Sequence, residues 1–215
     1  MTLTADIGER FELVPMDALC GNISIGLYRQ FRGMGSEFVV HTYSRREGAR
    51  QRAEFVARAM ATLGGMELNS DNPLRLWFPC HAQHKMAVRR VFLEACKLDP
   101  ANEFAPRPLA ILDKKSGRTI TVTSLGGGVY QVTADGEEEG KTSRVAAVAA
   151  GLTKLGEMTS VEQPPERISF SCGKAHDAMI GLLLIRALNV RAILREEEMM
   201  ASRGVLSAPS AQKEA

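Results

Sequence analysis

The 215-residue chain lacks most of what would assign a protein to a special class. Its longest clean apolar run, Ala178 to Ile185, is stopped by Arg186, far short of the roughly 20 residues that span a bilayer. Neither sign of charge dominates: the net charge is +2 and the pI about 8.4, whereas nucleic-acid-binding domains usually show a pI above about 9 and a basic face. Aromatic residues make up 6% of the chain, and Phe31, Trp77 and Phe78 are not interleaved with basic residues as a base-stacking surface requires. Membrane and nucleic-acid partners are therefore not expected, while a small anionic ligand is compatible with the composition.

Also missing is an export pattern. The opening MTLTADIGERFEL carries acidic residues and no apolar core, so neither a signal nor a transit peptide is expected and a cytoplasmic setting is. There the four cysteines, Cys20, Cys80, Cys96 and Cys172, are expected as thiols, metal ligands or catalytic sulfur rather than a disulfide framework. The dinucleotide, P-loop, HExxH and Gly-x-Ser-x-Gly signatures are absent as well.

What is present is an internal repeat. An ungapped offset of 92 pairs Gly48 with Gly140, Arg52 with Arg144, Val56-Ala57 with Val148-Ala149, Leu63-Gly64 with Leu155-Gly156, and Met66 with Met158. The register continues through a loop, pairing Pro73 with Pro165, Arg75 with Arg167, Phe78 with Phe170, Cys80 with Cys172, His84 with His176, and Ala95 with Ala187. These are 13 identities over the 51 positions 48–98, where average residue usage gives roughly 3 or 4 by chance. Phe38 with Tyr130, Met60 with Leu152 and Leu76 with Ile168 add similar pairs.

Hydrophobic periodicity reads the same way twice. In the first copy, strands FELVPM, GLYRQF and SEFVVHTY precede a helix from Glu47 to Leu63, the strand LRLWF and a helix from Ala82 to Lys97. In the second, PLAILD, RTITVTS and VYQVTA precede a helix from Thr142 to Leu155, the strand RISFS and a helix from Ala175 to Leu188. The expected fold class is α+β, an internal duplication of a β-β-β-α-β-α unit. Its two copies would be related by a pseudo-dyad and packed as two-layer strand and helix sandwiches, since pairing them buries faces that one copy would expose. Residues 1–100 are the expected first copy, 101–203 the second, and 204–215 a disordered tail.

The final helices of the copies differ. KMAVRRVFLEACKL is amphipathic, with Arg89, Arg90, Glu94 and Lys97 predicting a surface position. Its counterpart is apolar nearly all round, so the 177–190 segment is expected to be buried against the other copy or a second subunit, making a homo-oligomer a further expectation.

The repeat also selects the candidate chemistry. Cys80 with His84 and Cys172 with His176 sit where a strand ends and a helix begins, and residues four apart on a helix share a face. A helix N-terminus favours thiolate, the form that attacks or ligates. Brought together by a pseudo-dyad, Cys80, His84, Cys172 and His176 make a closed four-ligand set suited to zinc. Kept apart, each pair is a dyad for nucleophilic or acid-base work, with Cys80 and His84 the expected catalytic pair and His81 a further base. Against both stands packing, since buried cysteine is a common small hydrophobe.

Substrate binding is expected at Arg52 and Arg144, which alternatively serve a buried structural role, and at Gly127 and Gly128, whose backbone could cradle an anion. A glycine link between two strands is also what a hairpin needs. The arginines at 45, 46, 50 and 52 face Asp135 and Glu137 to Glu139 at comparable places in the second copy, a contrast that suits an anion site, a charged interface or solvated faces. Two functions compete. The leading one is a cytoplasmic enzyme or enzyme-like protein for a small anionic metabolite at the junction of the copies, using the paired Cys/His elements as its site, with zinc a candidate cofactor. The other is a non-catalytic assembly or accessory module in which the Cys/His pairs are structural.

Overall fold

Strand alternation sets the inner face of the first sheet. Ile25, Leu27, Phe38, Val40 and Leu76 are buried while Tyr28, His41 and Trp77 point the other way, the period-2 pattern of a sheet covered on one side. The structure, a computed structural model, describes residues 9–12, 23–32, 35–78, 80, 84–136, 141–161 and 166–189. His81, Cys20, the acidic residues Glu137 to Glu139 and the expected tail 204–215 lie outside the described residues.

The first half runs β1 (Glu9–Glu12), β2 (Ile25–Arg32), β3 (Gly35–Thr42), α1 (Ala49–Gly64), β4 (Glu67–Leu68), β5 (Arg75–Phe78) and α2 (Lys85–Lys97). The second runs β6 (Ala110–Asp113), β7 (Arg118–Gly126), β8 (Val129–Ala134), α3 (Lys141–Gly156), β9 (Thr159–Ser160), β10 (Arg167–Ser169) and α4 (Asp177–Ala187). Among the described residues the protein is thus α+β, with four helices and two five-stranded antiparallel sheets. The sheet orders are β1-β2-β3-β5-β4 and β6-β7-β8-β10-β9.

The helices fall within about two residues of their expected bounds, apart from α2, which begins at Lys85 rather than Ala82. The expected unit lacked one element, because each half inserts a two-residue strand, β4 or β9, before its last strand. Both residues of each are exposed, so neither strand leaves an alternating pattern to read.

Helix α1 lies against β3, β4 and β5, and α3 against β8, β9 and β10. Helix α4 touches all three other helices. A single hydrophobic core draws on both sheets and all four helices.

The apolar composition of α4 is accounted for inside the chain. Met179, Ile180, Leu182, Leu183, Leu184, Ala187 and Leu188 are all buried, leaving Ile185 exposed. Helix α2 departs from its expected surface position. Arg90 is buried and donates to the Leu155 carbonyl at 2.5 Å, and Glu94 receives a 2.8 Å ion pair from the largely buried Arg186. Its charged face meets the other half instead of water, and an amphipathic pattern cannot distinguish the two.

Helix ends also mesh across the halves. After α1, Gly65 adopts φ 64°, and a Cβ there would touch Ala178 of α4. After α3, Glu157 takes φ 54° and its carboxylate accepts the Met86 N–H at the start of α2 at 3.0 Å. A left-handed non-glycine residue costs of order 1 kcal/mol or more; here it supplies a cap to a helix whose N-cap, His84, makes no side-chain capping bond.

Candidate metal centre

Each half delivers its cysteine and histidine from the turn between its last strand and its last helix. After β5, Cys80 N–H bonds back to the Phe78 carbonyl at 2.7 Å, and Ser36 Oγ donates to the Cys80 carbonyl at 3.0 Å. After β10, Gly173 N–H returns to the Phe170 carbonyl at 3.1 Å. His84 and His176 are the N-caps of α2 and α4.

The two ends meet at the junction of the halves. The ligand atoms of Cys80, His84, Cys172 and His176 all lie within 4.8 Å of one another, a set that could hold a metal ion. Cys172 Sγ is at 3.2 Å from His84 Nε2 and 3.3 Å from His176 Nε2. The two imidazoles stand edge to face at 4.8 Å between centroids. Phe170 packs on His84 at 4.7 Å and Phe78 on His176 at 4.8 Å, so each phenyl ring braces the histidine of the other half.

Burial sets the electrostatics. His84 and His176 are 2% and 7% exposed. Burial, then the neighbouring His176 and Arg29, pushes His84 down to about 4; burial, then Lys174, does the same to His176, also to about 4. Both rings are therefore neutral at pH 7, the state in which imidazole ligates. His84 Nδ1 is buried and makes no hydrogen bond among the described residues, so this ring is oriented by its aromatic neighbours.

His176 is fixed differently. Its backbone N–H donates to Tyr130 Oη at 2.6 Å, and the same hydroxyl donates to Asp177 Oδ1 at 2.9 Å. Burial, with Asp177 beside it, holds the Tyr130 phenol above its ordinary range.

The two cysteines differ in burial. Cys80 is 3% exposed, whereas Cys172 is partly exposed and its sulfur accepts the Lys174 N–H at 3.4 Å. The less buried cysteine thus belongs to the second half, while Cys80 and His84, the catalytic pair expected from the sequence, are both buried.

The other sequence candidates lie elsewhere. Arg52 donates to the Cys96 and Leu98 carbonyls at the end of α2, both at 2.8 Å. Arg144 donates to the Leu188 carbonyl at 3.2 Å and pairs with Asp113 at 2.6 Å. Each guanidinium thus serves the C-terminal carbonyls of its half's last helix, where cations are favoured. Gly127 and Gly128 form the β7–β8 turn with φ of 56° and 75°. Gly128 also accepts the Phe170 N–H at 3.0 Å, and a Cβ there would come within 2.9 Å of the Lys174 backbone. This turn supports the Cys172 loop.

Sequence reasoning missed Phe78 and Phe170 as walls of the centre, and Tyr130 and Glu157 as its supports. Phe78 and Phe170 were repeat identities flanking the cysteines, which was the available signal. No family model, curated protein or solved structure matches the chain.

Proposed function

We propose that the protein is a duplicated, non-catalytic assembly or accessory module whose two halves, residues 1–100 and 101–203, are clasped by one zinc ion bound to Cys80, His84, Cys172 and His176. The observation that carries this reading is the convergence of four N and S donors, two from each half, within 4.8 Å. A tetrahedral ion with Zn–S near 2.3 Å and Zn–N of 2.0–2.1 Å sets its ligand atoms roughly 3.3–3.8 Å apart. The two S–N distances on Cys172, 3.2 and 3.3 Å, lie just inside that spacing, while the outer limit of the cluster, 4.8 Å, requires its widest pair to draw in by about 1 Å on binding. Four protein ligands fill a tetrahedron and leave no position for substrate, the pattern of a structural site.

Duplication about a pseudo-dyad is supported by contacts that exchange under the offset of 92. Glu94 meets Arg186 and His84 meets His176, each residue touching its own equivalent. Phe78 on His176 is matched by Phe170 on His84. Gly65 beside Ala178 is matched by Glu157 beside Met86. Reducing, cytoplasmic surroundings suit thiolate ligands.

A second reading keeps the same residues as an enzyme site for a small anionic metabolite, with the Cys172 thiol as nucleophile beside two neutral imidazoles. Its specific support is the partial exposure of Cys172. The engagement of Arg52 and Arg144 with their own helix ends weighs against it, because neither cation is presented to a substrate at the centre.

Elemental analysis of the purified chain, with Cys80→Ser and Cys172→Ser variants, tests the clasp. One zinc per chain, lost in both variants, is expected. A wild-type chain that neither retains zinc nor takes it up would exclude it.

A further inference from the structure

Beyond holding an ion, the centre brings together two thiols of unequal access. The ligand atoms of Cys80 and Cys172 lie within 4.8 Å of each other across the junction, and the residues differ in burial: Cys80 is buried and Cys172 is intermediate. Cys96 lies buried in α2 and is not part of the cluster. We propose that Cys172 is a peroxide-reactive site and Cys80 its resolving thiol, so that oxidation replaces the metal clasp with a Cys80–Cys172 disulfide joining the same two halves. Metal release in this scheme rests on the zinc reading above; the thiol pairing rests on the geometry alone.

The order of events follows from access and polarity. Cys172 is the less buried of the two and meets a peroxide first, with its sulfur already accepting the Lys174 N–H at 3.4 Å. With hydrogen peroxide or an organic hydroperoxide as oxidant, the Cys172 thiolate attacks the terminal peroxide oxygen. An S–O bond forms and the O–O bond breaks, and the departing oxygen takes up a proton to leave as water or an alcohol. The Cys80 thiolate then attacks the Cys172 sulfur. An S–S bond forms, the S–O bond breaks, and the released hydroxide is protonated to water. Two thiolates are oxidised, one peroxide is reduced by two electrons, and two protons are consumed. The ion keeps only the two neutral imidazoles and dissociates.

The proximity of Cys80 makes the second step intramolecular, so the sulfenic acid on Cys172 is consumed before a second oxidant reaches it. A partner thiol so near is the arrangement that distinguishes a reversible cysteine from one that is lost to sulfinic acid.

The test treats the zinc-loaded full chain with one equivalent of hydrogen peroxide. Zinc release is followed with a chromogenic chelator, and disulfides are located by non-reducing peptide mapping. The expected result is a Cys80–Cys172 cross-linked peptide appearing in one-to-one proportion with released zinc, with both changes reversed by dithiothreitol and added zinc. Sulfinic acid at Cys172 without a link to Cys80, or a disulfide made instead by Cys96 or Cys20, would overturn the proposal. The zinc content before oxidant reports on the metal reading separately. In metal-free chain the same mapping still decides, since the cross-link must form there too and its absence overturns the pairing. Wild-type protein carries the decision, so the folding of Cys172→Ser is not at issue.

Discussion

The two histidines of the centre occupy equivalent places, yet each is held by different means. His176 is anchored through its backbone to the Tyr130 hydroxyl, which in turn is tied to Asp177. In the first half the equivalent residues are Phe38 and Lys85, which cannot make that chain of bonds, and α2 instead receives its cap from Glu157 across the junction. One half positions its ligand from within, and the other borrows from its neighbour. A site so built is complete only when the halves are together, and the division of labour gives each half a different weakness.

If the cluster holds zinc as proposed, removing it should give the largest effect and should erase the difference between the halves. Binding that favours only the folded state stabilises by about 4 kcal/mol at a thousandfold excess over Kd. Chelation, His84→Ala and His176→Ala should therefore all lower the melting temperature of zinc-loaded protein by many degrees. Calorimetry that shows the two histidine variants melting alike would fit one shared ion; unequal loss of zinc would point to separate sites.

Acid should act next, again on both halves. In metal-free protein His84 and His176 have pKa values lowered from 6.5 to about 4. The unfolded chain binds their protons first, so this stability is full above about pH 6.5 and is lost as pH falls toward 4, at most about 3 kcal/mol for each ring. Below that window the halves should part company. Arg144 holds the Asp113 carboxyl well below the usual range, so stability present above about pH 4 is lost in stronger acid, whereas Arg52 bonds to the Cys96 and Leu98 carbonyls instead of a carboxylate. Urea unfolding of Asp113→Asn against pH should show a flatter acid limb, and an unchanged slope would count against the pair.

Internal support in the second half predicts a moderate effect. Tyr130→Phe leaves the buried His176 N–H without its acceptor, at a cost of about 1–3 kcal/mol. Zinc affinity should weaken with it, because the ligand-bearing turn is loosened. Phe38→Tyr in the first half should also destabilise, for want of a partner. A stabilising Phe38→Tyr would show that the halves are more alike than their side chains imply.

The smallest effects concern the helix ends that cross the junction. Gly65→Ala forces a Cβ into a left-handed conformation, for about 1 kcal/mol. Glu157→Gly relieves such strain while losing the Met86 cap, so its net effect should lie within about 1 kcal/mol of zero. Chemical denaturation of both variants checks the sign.

Much of this arrangement could be read from residue order, and the limits have physical causes. Cys80, His84, Cys172 and His176 were found because a repeat filters common residues by position. Helices α1 to α3 were legible from a 3.6-residue period, whereas α4, apolar nearly all round, was legible from its length and its counterpart at the 92-residue offset. Strands β4 and β9 were not, because two exposed residues carry no period. The burial of Arg90 and Glu94 was hidden because a charged face looks the same whether it meets water or a complementary charge. Glu157 was invisible for a related reason: nothing local marks a carboxylate that caps a helix 71 positions away. The unequal burial of Cys80 and Cys172 was hidden as well, because equivalent sequence positions carry no record of how tightly each is packed.

X-ray absorption at the zinc edge of the reconstituted chain addresses the central claim directly, since it reads the coordination shell itself. Two sulfur neighbours near 2.3 Å and two nitrogen neighbours at about 2.0–2.1 Å are predicted. A shell of nitrogen and oxygen alone, or one containing a single sulfur, would contradict a clasp made by both halves.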